Sequence, residues 1–218
     1  MSVEKLKKVL SNELGDLKEK GTLKGKETVV SGVKTGDSEK GTRYFLLDYP
    51  GKEFIRLNSN SYLGMSIREE VIKAEEEAAR VYGTGPGAVR FISGTFKGHI
   101  DLENRLAEFH GRESAMLFSS AYTTVMGTLA PLITDETTVI SDELNHNCII
   151  NAIRLSRPKN KSIYKHLNME GLEEEIKKTI GTCKRLIIVT DGIFSMRGDN
   201  APLNVIMDLA KKYDSSFE

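Results

Sequence analysis

The sequence has only two cysteines, Cys148 and Cys183, and no excess charge of either sign: 31 Lys+Arg stand against 31 Asp+Glu in 218 residues. Two thiols are too few for a disulfide scaffold, and neither belongs to a metal-like Cys/His spacing. Zero formal net charge leaves no electrostatic footprint for nucleic acid or for an anionic membrane surface. No apolar run approaches the roughly 20 residues of a membrane span. The opening MSVEKLKKVLSNELGDLKEK lacks the uninterrupted apolar core of a secretory signal. Internal repeats and low-complexity segments are also missing. These absences give the expectation of a cytoplasmic protein with reduced thiols and no metal, nucleic-acid or membrane partner.

What is there suits one large globular domain or two small ones: 39% hydrophobic and 28% charged residues. Residues 3–20 keep helical apolar spacing through Val3, Leu6, Val9, Leu10, Leu14 and Leu17, which predicts an amphipathic helix docked on a core or a partner subunit. Residues 22–50 carry glycines and the patches TVV and RYFLL, read as short strands with a turn at Asp48–Gly51. We therefore set residues 1–50 apart as an N-terminal arm from a domain spanning 51–218.

From residue 54 the pattern becomes regular. It predicts strand 54–57, helix 67–82, a glycine-rich loop 83–95, helix 100–110, strand 115–118, helix 123–132 and strand 138–140. Helix 147–155, strand 162–165, helix 170–180, strand 186–189 and helix 203–212 follow. Such alternation implies an α/β fold, a mainly parallel sheet with helices on both faces. One more strand is expected after Tyr213, so the pattern suggests a C-terminally truncated chain.

Three predicted strand-to-helix loops carry polar groups at one edge of that sheet: Ser119–Tyr122, Asp142–His146 and Asp191–Ser195. In open α/β sheets ligands sit beyond the carboxyl ends of the strands, and a helix N-terminus favours an anion such as phosphate. Polar turns also arise for structural reasons alone; three at one edge point to a flat, phosphate-bearing cofactor. Nucleotide motifs fail: Gly83-Thr-Gly-Pro-Gly87 is not G-x-G-x-x-G, and Gly94-Thr-Phe-Lys-Gly98 is not a P-loop. His99 and His110 read as structural residues of helices, and His166, at a strand end, as exposed. Arg90 either binds a carboxylate or pairs with an acidic neighbour. The two cysteines read as small apolar packing residues.

Asn60-Ser-Tyr-Leu-Gly64, the GTGPGAVRFISGT run at 83–95, Ser141-Asp-Glu-Leu-Asn-His146 and Thr190-Asp-Gly-Ile-Phe-Ser-Met196 occur in that order. Together they resemble the α-oxoamine synthase family of pyridoxal 5'-phosphate enzymes, in the type I aminotransferase fold, from about residue 50 onward. The resemblance implies that His146 stacks on the cofactor ring and that Ser195 lies near its ring oxygen. It also implies that Ala121 and Tyr122 help hold the cofactor and that Asn60 lies near the substrate. Residues 51–218 would then be an incomplete cofactor-binding large domain. Val89–Thr95 most resembles the glycine C-acetyltransferase branch, which joins glycine to acetyl-CoA. The decarboxylating 8-amino-7-oxononanoate synthase branch is the nearest alternative, and a non-catalytic relic or partner subunit is another. Family members imply an acyl-CoA and a small amino acid as substrates, and a homodimer. The family's Schiff-base lysine and its acid opposite the pyridine nitrogen come later than the matched region. The 218 residues are therefore expected to form no covalent attachment through that lysine, and Lys97, early in the glycine-rich region, is not a substitute.

Overall fold

In the computed structural model, residues 2–217 are described, and the chain divides into two compact units, Met1–Gly94 and Thr95–Glu218. The sequence pattern changes earlier, near residue 50. The first unit opens with α1 (Val3–Glu19), whose Ser2 hydroxyl caps the Lys5 N–H. Gly21, in the left-handed region at φ 66°, follows its end. A three-stranded antiparallel sheet follows: β1 (Val30–Lys34), β2 (Arg43–Leu46) and β3 (Tyr49–Phe54), in that order. The tight turn is at Leu47–Asp48, so Pro50 and Gly51 belong to β3 and not to the turn. The strand expected over 54–57 is displaced likewise: β3 ends at Phe54. A 3-10 segment (Tyr62–Ile67) leads into α2 (Glu69–Tyr82), and the loop after it contains a π-helical turn at Arg90–Gly94.

The second unit begins with α3 (Lys97–Phe109). Its entry is fixed by the Phe96 N–H, which donates to His99 Nδ1 at 2.9 Å. Residues 115–118 do not form the expected strand. They run as irregular chain held by the Leu117 N–H, which donates to the Glu103 carboxylate at 2.9 Å. So short an apolar run cannot specify a strand without a neighbour to pair with. Beyond it the alternation holds: α4 (Ala121–Leu132), β4 (Thr137–Asp142), α5 (Asn147–Ser156), β5 (Asn160–Tyr164), α6 (Met169–Thr179) and β6 (Arg185–Val189). A two-residue hairpin pair, β7 (Ile193–Phe194) and β8 (Asp199–Asn200), precedes α7 (Leu203–Tyr213).

The sheet order is β5-β4-β6, all parallel, with β4 central and all six of its residues buried. Neighbours along a strand face opposite sides, and the two cores follow that rule. Val139 and Val189 pack under α4 and α5 with Ile133, Cys148, Ile149 and Ile153. Ile140 turns the other way and packs with Tyr164, Leu172, Ile176 and Ile206 under α6 and α7. Helices thus cover both faces, as the pattern predicts. The chain leaves β4 toward β5, then returns past it to β6, so the carboxyl ends of β4 and β6 lie side by side. Residues 214–216 form a 3-10 turn, and β6 has no second neighbour among the described residues.

Candidate cofactor site

The site grows from the carboxyl ends of β4 and β6. Asn145, in the loop after β4, is buried, and its amide joins the two loops. Its Nδ2 donates to Ser141 Oγ at 2.9 Å and to the Val189 carbonyl at 2.8 Å, while its Oδ1 accepts the Asp191 N–H at 2.8 Å. The link is returned next door, where the His146 N–H donates to the Asp191 carboxylate at 2.7 Å. Three of these four hydrogen bonds hold residues far apart in sequence in a fixed relation.

His146 caps α5. Its Nδ1 accepts the Cys148 N–H at 3.1 Å and lies 2.9 Å from Cys148 Sγ. With Nδ1 accepting, the neutral ring carries its proton on Nε2. Cys148 packs in the core as expected, and it also touches the ring. Along the same wall, Phe194 is buried and Ser195 is exposed at the start of the β7–β8 turn. His146, Asp191, Phe194, Ser195 and Arg197 line one cavity of about 450 Å³. A hollow of about 450 Å³ also lies among Glu136, Lys159, Thr182 and Ser215. It sits at the amino ends of the strands, opposite the edge where such sheets take ligands.

The start of α4 is tied to α5, where the Tyr122 hydroxyl accepts from Asn151 Nδ2 at 2.8 Å. Ser120 and Thr123 form a capping box, with the Thr123 N–H donating to Ser120 Oγ at 3.1 Å. The N–H groups of Ala121 and Tyr122 are the two of that turn with no acceptor among the described residues. They are directed out of the helix end, where an anion is favoured. The chain thus brings His146 and Ser195 to one cavity and places Ala121 and Tyr122 on the helix adjoining α5. Asn60 belongs to the first unit, exposed in the segment before the 3-10 turns. Lys97 forms an ion pair with Asp101 on α3.

Sequence reasoning passed over Asn145 and Asp191 although both lie inside the quoted motifs. The available signal was an amide just beyond a strand that the alternation places at the centre of the sheet, since a buried amide requires partners. His166 is the plain correction: its side chain is 8% exposed and bonded to two carboxylates.

A sequence profile described as aminotransferase class I and II matches residues 52–216. The chain belongs to the aminotransferase class I and II family. Among curated relatives, 8-amino-7-oxononanoate synthase 1 of Bacillus subtilis (strain 168) is 47% identical over 164 residues, 75% of this chain and 41% of that protein. The 8-amino-7-oxononanoate synthase of Bacillus pumilus (strain SAFR-032) is 42% identical over 206 residues, 94% of this chain and 50% of the relative. Among solved structures, serine palmitoyltransferase from S. paucimobilis with a bound PLP–myriocin adduct aligns at a TM-score of 0.81 and 27% identity. That alignment covers 98% of this chain and 51% of the enzyme. The chain spans about half the length of the curated relatives it matches. These relatives are α-oxoamine synthases, as the ordered motifs imply, and they carry the name of the alternative branch rather than that of glycine C-acetyltransferase.

Proposed function

We propose that this chain supplies the cofactor-gripping half of a pyridoxal-phosphate-dependent acyltransferase of the α-oxoamine synthase type, in the 8-amino-7-oxononanoate synthase branch. The observation that carries the reading is the single cavity shared by His146 and Ser195 at the start of α5, a helix that Asn151 ties to Tyr122 of α4. Its parts fit the group. A flat imidazole offers a face for a pyridine ring, a hydroxyl stands at the rim, and two unspent helix N–H groups suit a phosphate. When bound, the cofactor supplies an electron sink for a carbanion at the amino acid's α carbon.

The chain's own residues hold and orient. His146 would hold the ring plane through its face, and its own orientation is set by the Cys148 N–H and thiol at Nδ1. Ser195 offers a hydroxyl that donates or accepts at the ring edge. The Ala121 and Tyr122 N–H groups would donate to the phosphate, and buried Phe194 closes one wall to water. Asn60 is assigned to the substrate by resemblance.

The name the relatives bear supports this branch. Cutting 8-amino-7-oxononanoate between its ketone and amine carbons gives a seven-carbon ω-carboxyacyl group and a two-carbon amine. The amine is alanine without its carboxylate. We extend the proposal to a cytoplasmic homodimer. The exposed apolar side of α1, including Leu6, Leu10 and Leu14, supports a second copy as partner, and no helix among the described residues is long and apolar enough to cross a membrane.

The test has two parts. Titration of the 218-residue chain with pyridoxal phosphate should show saturable binding, weakened about tenfold by His146→Ala, the scale of one lost aromatic stacking contact. Borohydride reduction should leave no stoichiometric pyridoxyl-lysine. A polypeptide continuing this sequence through the rest of the family fold should release CoA fastest with alanine and the seven-carbon ω-carboxyacyl-CoA. Fastest release with glycine and acetyl-CoA would return the glycine C-acetyltransferase reading. Absence of any cofactor binding would favour a non-catalytic partner subunit.

A further inference from the structure

We propose that His166 is a positioning residue: an imidazolium clamp that fastens the β7–β8 turn, and with it Ser195, to the carboxyl end of β4. His166 Nδ1 lies 2.9 Å from Asp142 Oδ1, and Nε2 lies 3.1 Å from Asp199 Oδ2. Ionised carboxylates only accept, so both ring nitrogens must donate, and only the protonated ring has two N–H groups. The ring also meets Phe194 edge-on, with centroids 4.4 Å apart and planes at 83°. Phe194 immediately precedes Ser195, and Asp199 closes the turn. Both ends of the turn therefore rest on one imidazole, which the β5–α6 loop supplies.

That loop is shaped for the contact. Leu167 takes a left-handed backbone at φ 57°, uncommon for a residue with a branched side chain. Its N–H donates to Asp142 Oδ2 at 3.1 Å, while the His166 N–H donates to Glu143 Oε1 at 3.0 Å. The charged groups around the ring come from every element packed on it. Asp142 and Glu143 follow from β4, Asp199 from β8, Lys165 from the loop itself through its pair with Glu143, and Arg197 from the turn, 2.7 Å from Asp199. Tyr164 stands beside Asp142, and burial pushes its hydroxyl up to about 12, so it stays neutral. The hydrogen bond to Asp142, with that to Asp199 behind it, raises His166 above its ordinary 6.5, against desolvation and the nearby Arg197. The same contact with His166 holds the Asp199 carboxyl below the usual range.

The sign follows. A group whose folded value is raised stabilises the fold fully below its unfolded value and loses that contribution as pH climbs through the folded value. The clamp is therefore closed at pH 6 and released as the medium becomes alkaline, above 6.5.

The consequence for the cofactor rests on the function proposed above; the clamp itself does not. In the 218-residue chain without cofactor, nitrogen-detected NMR of the histidine rings should show both His166 nitrogens protonated at pH 6, titrating above 6.5. Amide exchange at Arg197 and Gly198, whose N–H groups donate to the Phe194 carbonyl at 3.1 and 2.7 Å, should accelerate about tenfold or more in His166→Gln. Loss of one charge-assisted hydrogen bond has that scale. Asp199→Asn, at a half-exposed partner, keeps an acceptor but removes the charge, so it should give a smaller acceleration in the same direction and lower the His166 titration toward 6.5, which covers the case in which His166→Gln does not fold. With pyridoxal phosphate as probe, both variants should bind more weakly at pH 7, and the native chain should bind more weakly as pH rises through the His166 titration. A ring with one bare nitrogen at pH 6, or turn exchange unchanged in Asp199→Asn, would overturn the clamp. Failure of the unaltered chain to bind pyridoxal phosphate would instead overturn the cofactor reading, with the clamp decided by the ring and exchange data.

Discussion

Replacing Asp142 by alanine is expected to destabilise the second unit by about 3–5 kcal/mol, the scale for breaking a buried ion pair from one side. The Asp142 carboxylate has no exposed side-chain surface. It accepts from the Leu144 N–H at 2.9 Å, the Leu167 N–H at 3.1 Å and His166 Nδ1 at 2.9 Å. Alanine would strand two backbone donors, each costing about 1–3 kcal/mol when buried and unmatched. It would also leave the imidazolium with Asp199 as its remaining directly bonded carboxylate. Asp142→Asn keeps the shape and one acceptor and should lose less. Urea unfolding of the 218-residue chain measures both, provided the slope with denaturant is unchanged.

The deficit of Asp142→Ala should also shrink with rising pH. Asp142 is the main cause of the raised His166 value, so the native chain's advantage is greatest below 6.5 and fades as the ring deprotonates. A loss below about 1 kcal/mol at pH 6 would mean that this carboxylate carries no charged pair.

The part of the fold legible in sequence is the part where pattern and packing agree. Val139 and Ile140 alternate on a strand buried on both faces, and α5, α6 and α7 end within one or two residues of where their apolar spacing stops. Residues 115–118 misled because strand propensity has no force without a paired neighbour; a single side-chain acceptor, Glu103, takes the Leu117 N–H instead. The π-helical turn at Arg90–Gly94 left no periodic trace inside a glycine-rich loop. In the candidate site the motif order drew attention to His146 and Ser195, and the cavity contains both. His166 was misjudged as exposed because burial of a strand-end residue depends on what a distant segment lays over it. Here that segment is Phe194 and Asp199, which no local window contains.

Asn145→Ala should cost roughly 2–4 kcal/mol and should weaken pyridoxal-phosphate binding more than His146→Ala does. Asn145 is 4% exposed and spends its whole amide on three partners. Alanine would strand the Val189 carbonyl at the end of β6 and the Asp191 N–H at the start of the next loop. Asp191 is half-buried, so water can reach part of the gap and keeps the expected cost below that at Asp142. The binding effect has a separate origin. Asp191 receives the His146 N–H, so freeing Asp191 loosens the backbone that presents the imidazole and the loop that leads to Ser195. Asn145→Asp distinguishes packing from hydrogen bonding. The carboxylate can still accept the Asp191 N–H, but it loses both donations and faces the Val189 carbonyl with negative charge. It should therefore resemble alanine in stability although its volume is native. If Asn145→Ala lost stability yet bound pyridoxal phosphate as tightly as the native chain, the His146 orientation would have to rest on its Cys148 contacts alone.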